Sequence, residues 1–201
     1  MPFFYKLAAS EIPADFNEAA RYSGFAKSSS LTQEISKKLE QCIQKLQQAL
    51  VPQAVYEEFD LKVEQNLIQF ADISLESRDL SRNLEGCSKV ILIAATVGAG
   101  VDQIIRRSQL SGSADAALMQ ATGAMFIESF VDKLNNKLRD ESTLHGKFLR
   151  PRYSPGYGDV SLEFQKEFFR LLPCQKIGLS LMDSLIMAPE KSVTAFIGVK
   201  N

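Results

Sequence analysis

The chain is poor in the residues that most often carry metal, redox and hydrolytic chemistry. Its 201 residues include one histidine, His145, and three cysteines, Cys42, Cys87 and Cys174. The cysteines lie far apart and form no C-x-x-C pair, so neither a zinc ribbon nor a dithiol redox motif is spelled out, and they read as reduced thiols. His145 precedes Gly146 in a polar loop with no second metal ligand beside it. The chain has no G-x-S-x-G elbow and no H-E-x-x-H, and a Ser-His-Asp triad would have only this one histidine to draw on. A formal net charge of -1 removes the simplest electrostatic case for nucleic-acid binding. The longest strongly apolar run, Val90 to Val101, stops at Asp102 and is too short to span a bilayer. The opening MPFFYKLAAS lacks the basic flank and long apolar run of a secretory signal. Together these absences predict a cytoplasmic protein with neither nucleic acid nor membrane as a partner.

What is present is an ordinary globular composition, 45% apolar and 23% charged, in a chain long enough to bury roughly 70% of its unfolded surface. No internal repeat and no long linker interrupts it, which predicts one domain over 1–201 with a helical N-terminal lobe over about 1–52. In that lobe Leu31, Ile35, Leu39, Cys42, Leu46 and Leu50 recur at helical spacing, Ser30 and Gln33 form a capping-box signature, and Pro52 ends the helix. AVYEEFDLK and NLIQFADI alternate like two strands, and LESRDLSRNLEG reads as a short helix closed by Gly86. KVILIAATVG has the continuous apolar character of a strand covered on both faces, and GVDQIIRRSQL is helical. The longest helix is expected from Ser113 to about Asp140. Beyond it, SLEFQKEFFRLL places Phe164, Phe168 and Leu171 on one helical face, and IGLSL, SLIMA and SVTAFIGV look like strands. Helices and strands in this irregular order predict an α+β fold with a mixed or antiparallel sheet rather than a regular βαβ array.

Two features invite a functional reading. On the long helix, Ala117, Ala121, Ala124, Met125 and Val131 lie within about 60° of Glu128 at 100° per residue, so that carboxylate shares a face with small apolar groups. A carboxylate so placed needs a cation or donors. An arginine of the chain would satisfy it, and so would a ligand seated in the room the alanines leave. AATVGAGVDQ, in contrast, fails as a phosphate loop, because the third glycine of G-x-G-x-x-G would fall at Gln103 and no Walker lysine follows.

The second feature is RPRYSPGYGD, Arg150 to Asp159. Ser154-Pro155-Gly156-Tyr157 has the chemistry of a type II turn, proline presetting φ at its second position and glycine accepting φ > 0 at its third. Arg152 offers a planar fork of donors to a carboxylate, and Tyr157 an aromatic face to a cation or ring. These residues suit an amino-acid-like or nucleoside ligand that carries a carboxylate, and a plain surface loop is the other reading they allow.

With the R-Y-S-P-G-Y motif of Arg152 to Tyr157, the EFQKEFFRLL helix behind it and the tail IGLSLMDSLIMAPEKSVTAFIGV, the chain resembles the S-adenosylmethionine-binding reactivation domain of cobalamin-dependent methionine synthase. EAARYSGF, AATVGAGVDQIIRR and the Glu128 helix are similar to short, free-standing members of that family, so the resemblance covers nearly the whole chain. It implies an S-adenosylmethionine site with no catalytic acid or base and no metal ligand. Arg152 would hold the methionyl carboxylate, the backbone at Ser154 and Gly156, with Pro155 between them, would line the adenosine, Tyr157 would lie beside the ligand, and Glu128 would bind its polar groups. It further implies a cobalamin-binding methionine synthase or related corrinoid protein as partner, carrying the cobalamin, with a flavodoxin-type reductant acting indirectly. The chain departs from the larger enzymes in having serine at position 154 where alanine is common, and it stops at Asn201, before a further tyrosine contact. It has no D-x-H-x-x-G cobalamin-ligand motif and no homocysteine or folate module, so alone it is not expected to be a methionine synthase. A corrinoid-protein docking role without methyl donation is the alternative, and an unrelated small-molecule methyltransferase a third reading.

Overall fold

The computed structural model describes residues 1–25, 31–110 and 115–201. Its centre is an antiparallel sheet in the order β4-β3-β2-β5-β9-β6, formed by β2 (Gln53–Glu64), β3 (Leu67–Phe70), β4 (Ile73–Glu76), β5 (Cys87–Thr96), β6 (Phe148–Leu149) and β9 (Ser192–Lys200). Strand β1 (Phe3–Lys6) pairs with the first half of β2, so the N-terminal region, expected to be helical, contributes a strand as well. The hairpin β7 (Ser180–Leu181) and β8 (Met187–Ala188) stands apart from this sheet. Every ladder is antiparallel, and the fold is a single-domain α+β arrangement.

Period-two alternation explains the two cores. Along β5, Ile91, Ile93 and Ala95 face one cluster, while Val90, Leu92 and Ala94 face the other. The first cluster is covered by helices α1 (Phe16–Tyr22), α2 (Gln33–Gln47), α4 (Ala99–Leu110) and α5 (Asp115–Leu144). The second is covered by α3 (Arg78–Asn83), α6 (Gln165–Leu171) and the segment after it, with Phe70, Phe168 and Phe196 in the middle. A strand buried on both sides needs apolar residues at every position, which is why KVILIAATVG shows no alternation.

Local chemistry sets the helix ends. Thr32 caps α2, its hydroxyl accepting from the Ile35 amide, and the expected cap Ser30 lies outside the described residues. The long helix runs four residues past its expected end, and its expected start, Ser113, also lies outside the described residues. NLIQFADI breaks at Ala71, which takes φ 49°, into β3 and β4. Gly100 admits the start of α4 against the end of α2, where a Cβ would stand 2.9 Å from the Ala49 carbonyl oxygen. Gly100 of AATVGAG is thus used by helix packing, and Gly98 by a bend at φ 92°. Burial pushes the thiols of Cys42 and Cys174 up to about 11 and about 12, as expected of cysteines that serve as core residues. Among the described residues no helix is long and apolar enough to cross a membrane.

Candidate functional site

The cleft forms where one edge of β9 loses its neighbour. β6 pairs Phe148 and Leu149 with Lys200 and Val199, the Arg150 amide donates to the Gly198 carbonyl, and Tyr153 exchanges both backbone hydrogen bonds with Phe196 at 3.0 and 2.8 Å. Pro155 has no N–H with which to continue the ladder, and the chain turns away there. The turn is type II as expected, Gly156 taking φ 90° and the Tyr157 amide donating to the Ser154 carbonyl at 3.3 Å. Its departure leaves Ser192, Val193 and the buried Thr194 of β9 as one wall of a cleft of about 430 Å³, bounded also by the turn, Glu128, Gln165 and Met187. That volume is within the range of small-molecule sites.

Besides the charged cluster of Arg152, three ties hold the turn. The first is the Tyr153–Phe196 bridge. The second is the Tyr153 hydroxyl, which donates to the Tyr157 carbonyl at 2.9 Å. The third is Asp159, whose carboxylate accepts from the Ser77 hydroxyl and from the amides of Arg78 and Asp79, at the N-terminus of α3. The Ser77 hydroxyl, helped by those two amides, holds the Asp159 carboxyl below its ordinary value. A depressed carboxylate contributes stability that is present above its unfolded value, about 3.9, and lost as pH falls through the lower folded value. The destabilisation caused by Asp159→Ala is therefore expected to be full at neutral pH and to shrink as pH falls below about 4. Urea unfolding of both proteins across this range checks it, and a pH-independent difference between them would refute the assignment.

Arg152 is the electrostatic centre. Its Nη2 donates to Glu128 at 2.9 Å and its Nη1 to Asp132 at 2.8 Å, so the turn is tied to α5 through one guanidinium and two carboxylates. The Arg152 side chain is 21% exposed, against 40% for Glu128 and 64% for Asp132. The expectation of a Glu128 sunk among small apolar groups is corrected here. Ala121, Met125 and Val131 of its face are buried, but Ala117 is exposed and Ala124 half-buried, so Glu128 stands at the border between core and solvent. It is satisfied by an arginine of the chain and also lines the cleft. One guanidinium between two carboxylates leaves one negative charge in excess. On the outer side of α5, Glu128 and Asp132 border a second cleft with Arg21, Tyr22 and Lys133.

Of the six residues singled out from the sequence, Glu128, Arg152, Ser154, Pro155 and Tyr157 line the cleft together. Gly156 does not. Its N–H is used by the Val160 carbonyl at 2.9 Å, and a Cβ there would meet Leu162 at 3.2 Å, so its part is to shape the turn. Sequence reasoning missed Asp132, Gln165, Met187 and the β9 edge. Asp132 carried a signal, since it follows Glu128 by one helical turn. Gln165 carried another, an amide spaced three and seven residues before the core residues Phe168 of α6 and Leu172 just beyond its end.

No family model and no curated protein matches the sequence. The fold has a solved counterpart in the MetH reactivation domain, crystallised with AdoHcy (S-adenosylhomocysteine). The similarity has a TM-score of 0.72 and covers 98% of this chain and 78% of that one, at 14% sequence identity. The architecture is therefore that of the MetH reactivation domain, the fold that the resemblance in the sequence implies.

Proposed function

We propose that the chain binds S-adenosylmethionine in the cleft beside Arg152 and acts in trans, in the cytoplasm, in the reductive remethylation of a corrinoid protein such as a cobalamin-dependent methionine synthase. The observation that carries this reading is the charged cluster of Arg152, Glu128 and Asp132 at the mouth of a cleft on this fold. An amino-acid ligand has a carboxylate for the Arg152 fork and an ammonium group for the freed acidic side chains, so its entry exchanges one set of charge-assisted hydrogen bonds for another. The excess negative charge of the cluster matches S-adenosylmethionine, whose sulfonium gives it one positive charge in excess. The chemistry would be the partner's: its corrinoid, kept reduced by a flavodoxin-type donor, would supply the nucleophile for the methyl group, with S-adenosylhomocysteine as the product left in this chain's cleft. The role of this chain is to bind and orient the sulfonium ligand, with no acid or base required of it.

A second reading has its own support. Arg152 already satisfies both of its outer nitrogens within the chain, as expected if the fold serves only to dock a corrinoid protein. Two measurements separate the readings. Calorimetry is expected to show saturable binding of S-adenosylmethionine, tighter than that of S-adenosylhomocysteine. Incubation with a cob(II)alamin-loaded methionine synthase, a reductant and methyl-labelled S-adenosylmethionine is expected to put label on the cobalamin. Binding without labelling would defeat the reactivation role, and capture of the corrinoid protein without ligand binding would establish the docking role instead.

A further inference from the structure

Gln165 opens α6, is 6% exposed and lines the cleft, yet its Oε1 is buried without a hydrogen-bond partner. An unmade hydrogen bond on a buried amide is costly, and folded proteins keep few of them. Among the described residues the only other such side-chain atom is Oδ1 of Asn83, whose amide nitrogen already donates to the Pro151 carbonyl. Gln165 has no comparable structural duty. It occupies a position in line with Phe168 and Leu172, both buried, where an apolar side chain would pack without cost.

Its placement selects a ligand group. Glu128 reaches the cleft from α5, in the layer on one face of the sheet, whereas Gln165 reaches it from α6, on the other face. The charged groups of the cleft thus belong to one layer and the turn tied to it, and Gln165 supplies a neutral group from the opposite layer. A carboxamide presents a donor and an acceptor side by side. Its complement is a planar edge with an amino group next to a ring nitrogen, the edge that adenine offers. We infer that Gln165 selects the nucleobase of the bound ligand, its amide pairing with the amino group and adjacent ring nitrogen of adenine. This deepens the S-adenosylmethionine reading and rests on it.

The test compares S-adenosylhomocysteine with its analogue in which the 6-amino group is replaced by hydrogen, by calorimetry on the purified chain. The wild-type protein is expected to prefer the amino ligand by about 10-fold or more. Gln165→Met, close in size and without polar atoms able to pair, is expected to bring that ratio to about one while the ligand-free protein unfolds no earlier than wild type. Indifference of the wild-type protein to the amino group would overturn the inference whatever the variant does. A preference retained by Gln165→Met would overturn it too, as would a large loss of ligand-free stability, which marks a structural role. Failure of the wild-type protein to bind either ligand would bring down the functional proposal and this inference together.

Discussion

Arg152→Ala is expected to weaken S-adenosylmethionine binding by about 100-fold or more and to leave the unfolding midpoint nearly unchanged. The binding effect follows from the 21% exposure of the side chain and from its place as the cationic group of the cleft. Truncating one partner of a largely desolvated, hydrogen-bonded charge pair costs about 2–5 kcal/mol, partly because the other charge is left unpaired. The stability effect is small because Glu128 and Asp132 are 40% and 64% exposed, so water replaces the lost guanidinium. Pairs of that exposure contribute about 0–1 kcal/mol. Arg152→Lys keeps the charge but loses the fork, which splits its two donors between two separate carboxylates. It is expected to fall between wild type and alanine. Calorimetry and urea unfolding on the three proteins measure both effects. Equal binding by wild type and Arg152→Ala would remove the arginine from the site, and a loss of several kcal/mol in stability would recast it as the strut between turn and helix.

That division reflects how the site is built. The residues that shape the turn, Tyr153, Gly156 and Asp159, make their hydrogen bonds to backbone groups and to the Ser77 hydroxyl, and they set where Arg152 stands. Arg152 itself interacts with side chains at the solvent border. A change in the first group moves the platform, and a change in Arg152 alters what the platform presents.

The sequence made the local parts of this arrangement legible. Pro155 and Gly156 fix a turn through their own dihedral preferences, and that turn is present with its hydrogen bond. The apolar run of β5 announced burial on two faces, and helical geometry put Glu128 on a face worth attention. Properties that depend on the packing of remote elements were hidden. The helical face of Glu128 could be computed from 3.6 residues per turn, but its exposure depends on how α5 tilts against the sheet and on where the Arg150–Asp159 segment returns. The β9 edge could not be seen as part of a site, because Ser192, Val193 and the buried Thr194 come to line a cleft only where Pro155 ends the neighbouring ladder. NLIQFADI carried strand propensity throughout, and a left-handed residue at Ala71 divided it without a glycine to mark the bend.

Phe196→Ala is expected to lose about 3–5 kcal/mol of stability, the range for truncating a buried phenylalanine. Phe196 is fully buried, and its ring centroid lies 4.8 Å from that of Phe168, 5.5 Å from Phe164 and 6.1 Å from Phe70, joining β9 to α6 and its approach and to β3. The alanine leaves a void among three rings that are themselves held by the sheet and α6, so collapse can fill little of it. The same residue exchanges two backbone hydrogen bonds with Tyr153 beneath the turn, lies two positions from Thr194, and packs beside Phe164, the neighbour of Gln165. Relaxation into the void therefore displaces the floor of the cleft, and ligand affinity is expected to fall along with stability. Phe196→Leu, which keeps most of the volume, is expected to lose less than half as much of both. Denaturant unfolding gives the first quantity and calorimetry the second, on the same preparations. A loss below about 1 kcal/mol for the alanine variant would show that the aromatic cluster is not what fastens α6 to the sheet, and unchanged ligand affinity in a destabilised variant would separate the cleft from the core beneath it.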